Sequence, residues 1–155
     1  MAVVSNSSPL IAFAAIEQLN LFAALFASVV IPPAVALEVA PSIPTLPPWL
    51  RLERLKMPLP EEVLRRSLGD GEREALALAL ETQAERILLD DRAARRVAQE
   101  LKLEVTGTAG VLLVAKRHAL IPRIRPHLDA LVSKSFFIGS ALYDDLLRLA
   151  GEYEA

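Results

Sequence analysis

Two adjacent acids, Asp90 and Asp91, close the apolar run Ile87-Leu88-Leu89. Neighbouring carboxylates repel each other unless solvent or a cation lies between them. Three more polar groups stand in similarly apolar sequence. Asn6 follows Val3-Val4-Ser5, Glu38 interrupts Ala34-Val35-Ala36-Leu37, and Glu72 opens the run Ala75 to Leu80. An acid in such surroundings is costly to bury unless it is paired or holds a cation. Gathered at one place, these groups make an oxygen-rich anionic pocket suited to Mg²⁺ or Mn²⁺, hard ions that prefer carboxylates and water. The chemistry open to such a pocket is hydrolysis by a metal-activated water.

Each group also has a purely structural role open to it. Asn6 can cap a helix or form an Asx turn. Glu72 in a first turn is favoured by the helix dipole, and Glu74 competes with it for any functional role. Glu38 can point to solvent, and either Asp90 or Asp91 can serve as the N-cap of the helix that follows.

Positioning these groups falls to short apolar strands that alternate with helices. Ile87 to Leu89 reads as a strand buried on both faces, because a half-buried strand would alternate apolar with polar. In open α/β sheets, ligands sit at the carboxyl ends of the strands, so an acid there faces a crevice. Further strands are expected at Ala2–Ser5, Ser28–Ile31 and Leu103–Thr106, with an edge strand at Ser135–Ile138. Helices are expected after Ser8-Pro9, over Leu21–Ala27, after Pro32-Pro33, and over Glu61–Ser67 and Glu72–Thr82. Others are expected over Arg92–Leu101, Ala109–His118 and Arg123–Val132, with a last one from a Ser140 cap to Ala150. Most of the prolines fall in Pro41–Pro60, which reads as a loop holding one extended piece, Trp49 to Leu55. The expected architecture is a three-layer α/β/α sandwich around a mainly parallel sheet of four or five strands.

A length of 155 residues allows one domain, 1–155, with a sizeable core. The hydrophobic fraction is 53% and the aromatic fraction only 5%, so Leu, Ala, Val and Ile must build that core. A net charge of −2 argues against gripping nucleic acid by overall charge but leaves room for a local basic patch. With no cysteine, a thiolate metal site and a disulfide framework are both excluded. No basic leader precedes the first apolar run, and Pro32-Pro33 splits the apolar stretch Leu21–Leu37. The expectation is a soluble, cytoplasmic protein without a membrane span.

The combined order of motifs resembles the PIN-domain family, most closely the branch related to VapC-type toxins. The residues that carry the resemblance are Val3-Val4-Ser5-Asn6-Ser7-Ser8-Pro9-Leu10-Ile11, Glu38, and Gly69-Asp70-Gly71-Glu72 with Ala75 to Ala79. Leu88-Leu89-Asp90-Asp91-Arg92-Ala93-Ala94-Arg95 and Thr106-Gly107-Thr108-Ala109-Gly110 complete it, so the resemblance spans nearly the whole chain. It implies a ribonuclease with acids around one or two Mg²⁺ or Mn²⁺ ions. By position, the first family aspartate falls on Asn6, the glutamate on Glu38 and the helix-opening acid on Glu72. The last aspartate falls on Asp91, with Asp90 its neighbour and substitute, and Ser8 matches the hydroxyl beside the first acid. A small antitoxin partner and a homodimer are implied in the same way.

Asn6 departs from that pattern, because an amide oxygen can bind Mg²⁺ but brings no charge. Glu38, Glu72 and Asp91 supply −3, or −4 with Asp90. Losing one carboxylate weakens the hold on a dication. RNA would need a cationic approach. Arg92, Arg95 and Arg96 lie beside the acids, and the stretch 116–134 has five cations against one acid, a net +4. His118 and His127 fall outside the acidic set and read as surface residues. A second reading is a PIN-like module that binds RNA or protein without metal chemistry, supported by Asn6. A third is a phosphoacceptor receiver domain, which also uses strand-end aspartates. It places its acid pair after the first strand and needs a strand-end lysine, whereas Lys116 falls inside an expected helix.

Overall fold

The computed structural model describes residues 2–154. β1 (Val3–Ser5) leads through α1 (Ser7–Ala15) and α2 (Asn20–Leu25) to β2 (Val29–Ile31). α3 (Pro33–Val39) connects to β3 (Leu50–Leu52), and α4 (Glu61–Leu64) with α5 (Asp70–Glu81) connects to β4 (Arg86–Leu88). α6 (Arg92–Glu100), β5 (Val105–Thr106), α7 (Thr108–Arg117), α8 (Arg125–Ser133) and α9 (Ser140–Leu149) complete the order.

All strand pairings are parallel, and the order across the sheet is β3-β2-β1-β4-β5, flanked by helices as an α/β/α sandwich. Strands of two or three residues are held by what they bury. Val3, Val4, Val29, Val30, Ile31, Ile87 and Leu88 are all buried. Each is worth about 1.5–3 kcal/mol, against a net of about 0.5–1.5 kcal/mol for each backbone hydrogen bond. β2 is therefore apolar throughout, β1 up to Ser5 and β4 after Arg86. β3 at the edge buries only Leu50 and exposes Arg51 and Leu52. α5 packs over β1 and β4 and against α3, presenting Ala75, Leu76, Ala77, Leu78 and Ala79 as buried residues. The small alanines allow that close approach.

Strand order reverses direction between β1 and β4. Chain connections leave β1 toward β2 and β3 on one side, and return to β4 and β5 on the other. Such a switch point opens a crevice at the carboxyl ends of the two central strands. A receiver domain has a different order, 2-1-3-4-5, and that reading fails on topology.

Several expectations need correction in detail. Ser135–Ile138 is not an edge strand. Ser135 takes a left-handed conformation (φ 68) that closes α8, and the Phe136 amide bonds back to the Leu131 carbonyl at 3.0 Å. That amide belongs to the helix end rather than to a ladder. The extended piece expected at Trp49–Leu55 is β3, and Trp49 stacks on Phe22 with ring centroids 5.9 Å apart. α5 starts at Asp70, so Gly71 lies inside the helix and only Gly69 stands before it. Gly139, not Ser140, occupies the cap position of α9.

Candidate metal centre

β1 and β4 deliver the first groups. Ser5 pairs with Leu88 in register, and the Asn6 amide donates to the Leu88 carbonyl at 2.9 Å. Asn6 therefore sits beside the end of β4, where Leu89 leads into Asp90 and Asp91. α3 brings Glu38 and the first turn of α5 brings Glu72. All five groups, Asn6, Glu38, Glu72, Asp90 and Asp91, line one open cleft of 540 Å³ together with Ser8, Phe136 and Phe137.

The two aspartates are held differently. Asp91 is the N-cap of α6, and its Oδ2 accepts from the Ala94 amide at 2.9 Å. Asp90 turns toward the β5–α7 junction. Its Oδ1 accepts from the Thr108 amide at 2.7 Å, and its Oδ2 accepts from the hydroxyls of Thr108 at 2.6 Å and Ser8 at 2.8 Å. One acid of the pair caps the helix, as a structural role for the pair requires. The other is clamped by three donors from two distant segments.

Glu38 has its carboxylate against Gly71, where a Cβ would meet its Cδ at 2.9 Å. Glu72 accepts the Gly69 amide at 2.9 Å through Oε1. Its first-turn role in α5 thus takes one of its oxygens. Glu74 competes for nothing in the cleft, because its Oε1 accepts the Ala34 amide at 2.9 Å and closes the start of α3. Burial pushes the Glu72 carboxyl above its usual range and the Gly69 amide pulls it back. The charges of Asp91 and Glu38 raise it further, so Glu72 feels both of them.

Two observations bear on whether a dication fits. Asn6 is buried, and its Oδ1 has no hydrogen-bond partner among the described residues. A buried acceptor without a donor costs about 1–3 kcal/mol, and a cation at the cleft would satisfy it. The repulsion that Glu38 and Asp91 exert on Glu72 would be relieved by the same ion. On the other side, no three carboxylates among the described residues are drawn within reach of a single ion as they stand. The donor chemistry suits a hard dication, and closing on one requires side-chain movement by the exposed Glu38 and Asp91.

The basic groups divide. Arg92, Arg95 and Arg96 are all exposed on α6, and Arg95 alone of the three also lines a neighbouring cavity that touches Asp90. His118 is exposed, and His127 is half-buried, its pKa lowered by that burial against the opposing pull of Glu152. Sequence reasoning gave Thr108, Gly71, Phe136 and Phe137 no place in the cleft, the first two entering only as motif residues and the last two as part of an expected strand. Thr108 had a signal available, because it stands two residues past β5 as Asp90 stands two past β4. The two phenylalanines had none beyond their apolar character.

A parallel sheet with acids gathered at its switch point defines an α/β protein with an anionic cleft at the carboxyl ends of its central strands. A family model described as a PIN domain (DUF3368) matches residues 2–152, and the chain belongs to the PIN-domain family. No curated protein matches it. Among the described residues, no helix is long and apolar enough to cross a membrane.

Proposed function

We propose that this protein, a PIN-like domain over 1–155, is a Mg²⁺- or Mn²⁺-dependent endoribonuclease. The observation that carries the reading is the convergence of Asn6, Glu38, Glu72, Asp90 and Asp91 on one cleft at the β1–β4 switch point. Glu38, Glu72 and Asp91 would hold the ion, with the Asn6 amide oxygen as a neutral ligand. A bound ion of this kind supplies an acidified water for attack on phosphorus and offsets charge in the transition state. Asp90, clamped by Ser8 and Thr108, fixes the β4 end so that Asp91 keeps its place at the cleft. No histidine is needed as a base. Toxin action within a toxin–antitoxin pair, a small antitoxin partner, a homodimer and a cytoplasmic setting belong to the same proposal, through the likeness to VapC-type chains.

The test is a Mn²⁺ titration followed by cleavage of single-stranded RNA. The expected result is saturable Mn²⁺ binding and cleavage, with cleavage abolished in Asp91→Asn. Wild-type protein that binds no Mn²⁺ and cuts no RNA overturns the reading. It would favour a non-catalytic PIN-like module that binds RNA or protein, for which the uncharged Asn6 and the spread of the carboxylates speak.

A further inference from the structure

Beside the acidic cleft lies a second cavity of 600 Å³ with the opposite charge. Its charged lining is Arg86, Arg95 and Arg117 against one carboxylate, Asp90. That carboxylate is already occupied by Ser8 and Thr108. Arg86 is anchored by a hydrogen bond to Thr106 Oγ1. Arg95 Nη1 and Asp90 Oδ1 both approach the Gly107 backbone, at 3.4 and 3.0 Å from where a Cβ would stand. The absence of a side chain at Gly107 leaves room for both groups.

Phe137 stands on the boundary, lining both the anionic cleft and the cationic cavity. Its side chain is 89% exposed, while its neighbours Phe136 and Ile138 pack against the core. The alternation pins the backbone on both sides and holds the ring out in solvent. A ring standing in the open between a basic cavity and an acidic cleft offers a flat apolar face to a ligand that also carries negative charge. Single-stranded RNA has both properties. Its bases are free to stack on aromatic rings and its phosphates suit arginine, whereas a duplex keeps its bases stacked within itself. The cavity lies within the usual range for a small-molecule site.

We propose that Phe137 and the cavity of Arg86, Arg95 and Arg117 form a subsite for the nucleotide next to the one held at the acidic cleft. Phe137 stacks on the base and the guanidinium groups take the phosphate. The inference rests on the nuclease reading for what occupies the neighbouring cleft, and its test is made independent of cleavage.

The probe is a fluorescein-labelled single-stranded RNA of mixed sequence. Binding is measured with Ca²⁺ as the only divalent ion, and the RNA is checked on a gel to be intact. Phe137→Ala and Phe137→Leu are expected to weaken binding about tenfold, with Phe137→Trp holding the wild-type Kd. Trp49 lines neither cavity, so a fluorescence quench on RNA binding that is present in Phe137→Trp and absent in the wild type reports the new indole. Arg95→Gln is expected to weaken binding and flatten its salt dependence. Wild-type affinity in Phe137→Ala or Phe137→Leu overturns the subsite. So does an equal loss on duplex RNA, or a change in self-association with RNA binding untouched, which would make the ring a protein contact. If the binding losses hold but wild-type protein cuts no RNA with Mn²⁺, the subsite stands and the nuclease reading falls. If cleavage holds and Phe137 proves indifferent, the reverse is true.

Discussion

The carboxylate of Glu38 occupies the space in which any side chain at position 71 would begin: a Cβ there would overlap Oε1 and come within 2.9 Å of Cδ. Gly71 lies in the first turn of α5, and its backbone has no need of glycine, since it is not among the residues with positive φ. Its smallness serves the approach of α3. Gly71→Ala should therefore separate stability from function. Alanine is the better helix former by up to about 1 kcal/mol, and Glu38 is exposed and free to swing away. The expected outcome is an unchanged or slightly raised Tm, with a clear loss of Mn²⁺ affinity and RNA cleavage. Isothermal titration and a melting curve on the same preparation check it. Wild-type Mn²⁺ affinity in Gly71→Ala removes Glu38 from the ligand set.

The adjacent aspartates should part company in the same way. Asp90 satisfies three donors, so Asp90→Ala leaves the Thr108 amide and two hydroxyls without their acceptor. A loss of about 2–4 kcal/mol in urea unfolding is expected, because each such bond to a charged group contributes roughly 1.5–3 kcal/mol and the hydroxyls can find water. Asp91→Asn keeps an N-cap of equal quality. Its unfolding curve should overlay that of the wild type while cleavage disappears. If Asp91→Asn cuts RNA as well as wild type and Asp90→Asn does not, the ligand assignment of the pair is reversed.

Far from the cleft, Glu152 ties the end of the chain to the α7–α8 connection. Its side chain is only 6% exposed. It accepts from Lys116 Nζ at 2.8 Å and from the amides of Ile124 at 2.7 Å and Arg125 at 3.1 Å. Burial alone would raise its pKa, but the Lys116 hydrogen bond and the two amides outweigh it and hold the carboxyl below the usual range. A depressed folded pKa means the unfolded chain binds the proton first. The stabilisation is complete above the ordinary glutamate value of 4.5 and fades as pH falls through the lower folded value. Glu152→Gln should cost about 2 kcal/mol at neutral pH. That gap should stay constant on acidification until the ordinary glutamate value is reached, then narrow below it. A gap that is already closing at pH 6 contradicts this account.

Much of this architecture was legible because burial speaks through composition. Ile87-Leu88-Leu89 reads as a strand covered on both faces; all three are fully buried, and β4 runs from Arg86 to Leu88. Acids at the ends of such strands had to face a crevice, and they do. The clamp on Asp90 was not legible, because Ser8 and Thr108 lie 82 and 18 residues away and meet it only through the strand order. Ser135–Ile138 misled because the apolar run Phe136-Phe137-Ile138 reads as a strand while its Phe136 amide goes to a helix end. Phe137 carried no signal at all: one phenylalanine looks like another until its neighbours are seen to anchor and it is not.

Helix ends were hard to place for a physical reason that yields a further prediction. Glu17, Gln83, Lys102, Ala119 and Ser135 each stand just past a helix in the left-handed region, with φ between 50 and 68. In each case the next amide reaches back to a carbonyl in the last turn, as Leu103 does to Ala98 at 2.9 Å and Leu120 to Ala115 at 2.9 Å. Glycine is the usual occupant of that position, and here only Gly151, with φ 72, obeys the rule. An L-residue there costs about 1–2 kcal/mol, part of which glycine returns as greater freedom in the unfolded chain. Lys102→Gly and Ala119→Gly should therefore each stabilise the fold by about 0.5–1 kcal/mol, and should be additive because the sites share no partner. Both lie away from the acidic cleft, so RNA cleavage should not change. Urea midpoints for the two single variants and the double variant check this. A destabilised Ala119→Gly would mean that the left-handed turn is held by something other than its backbone bonds.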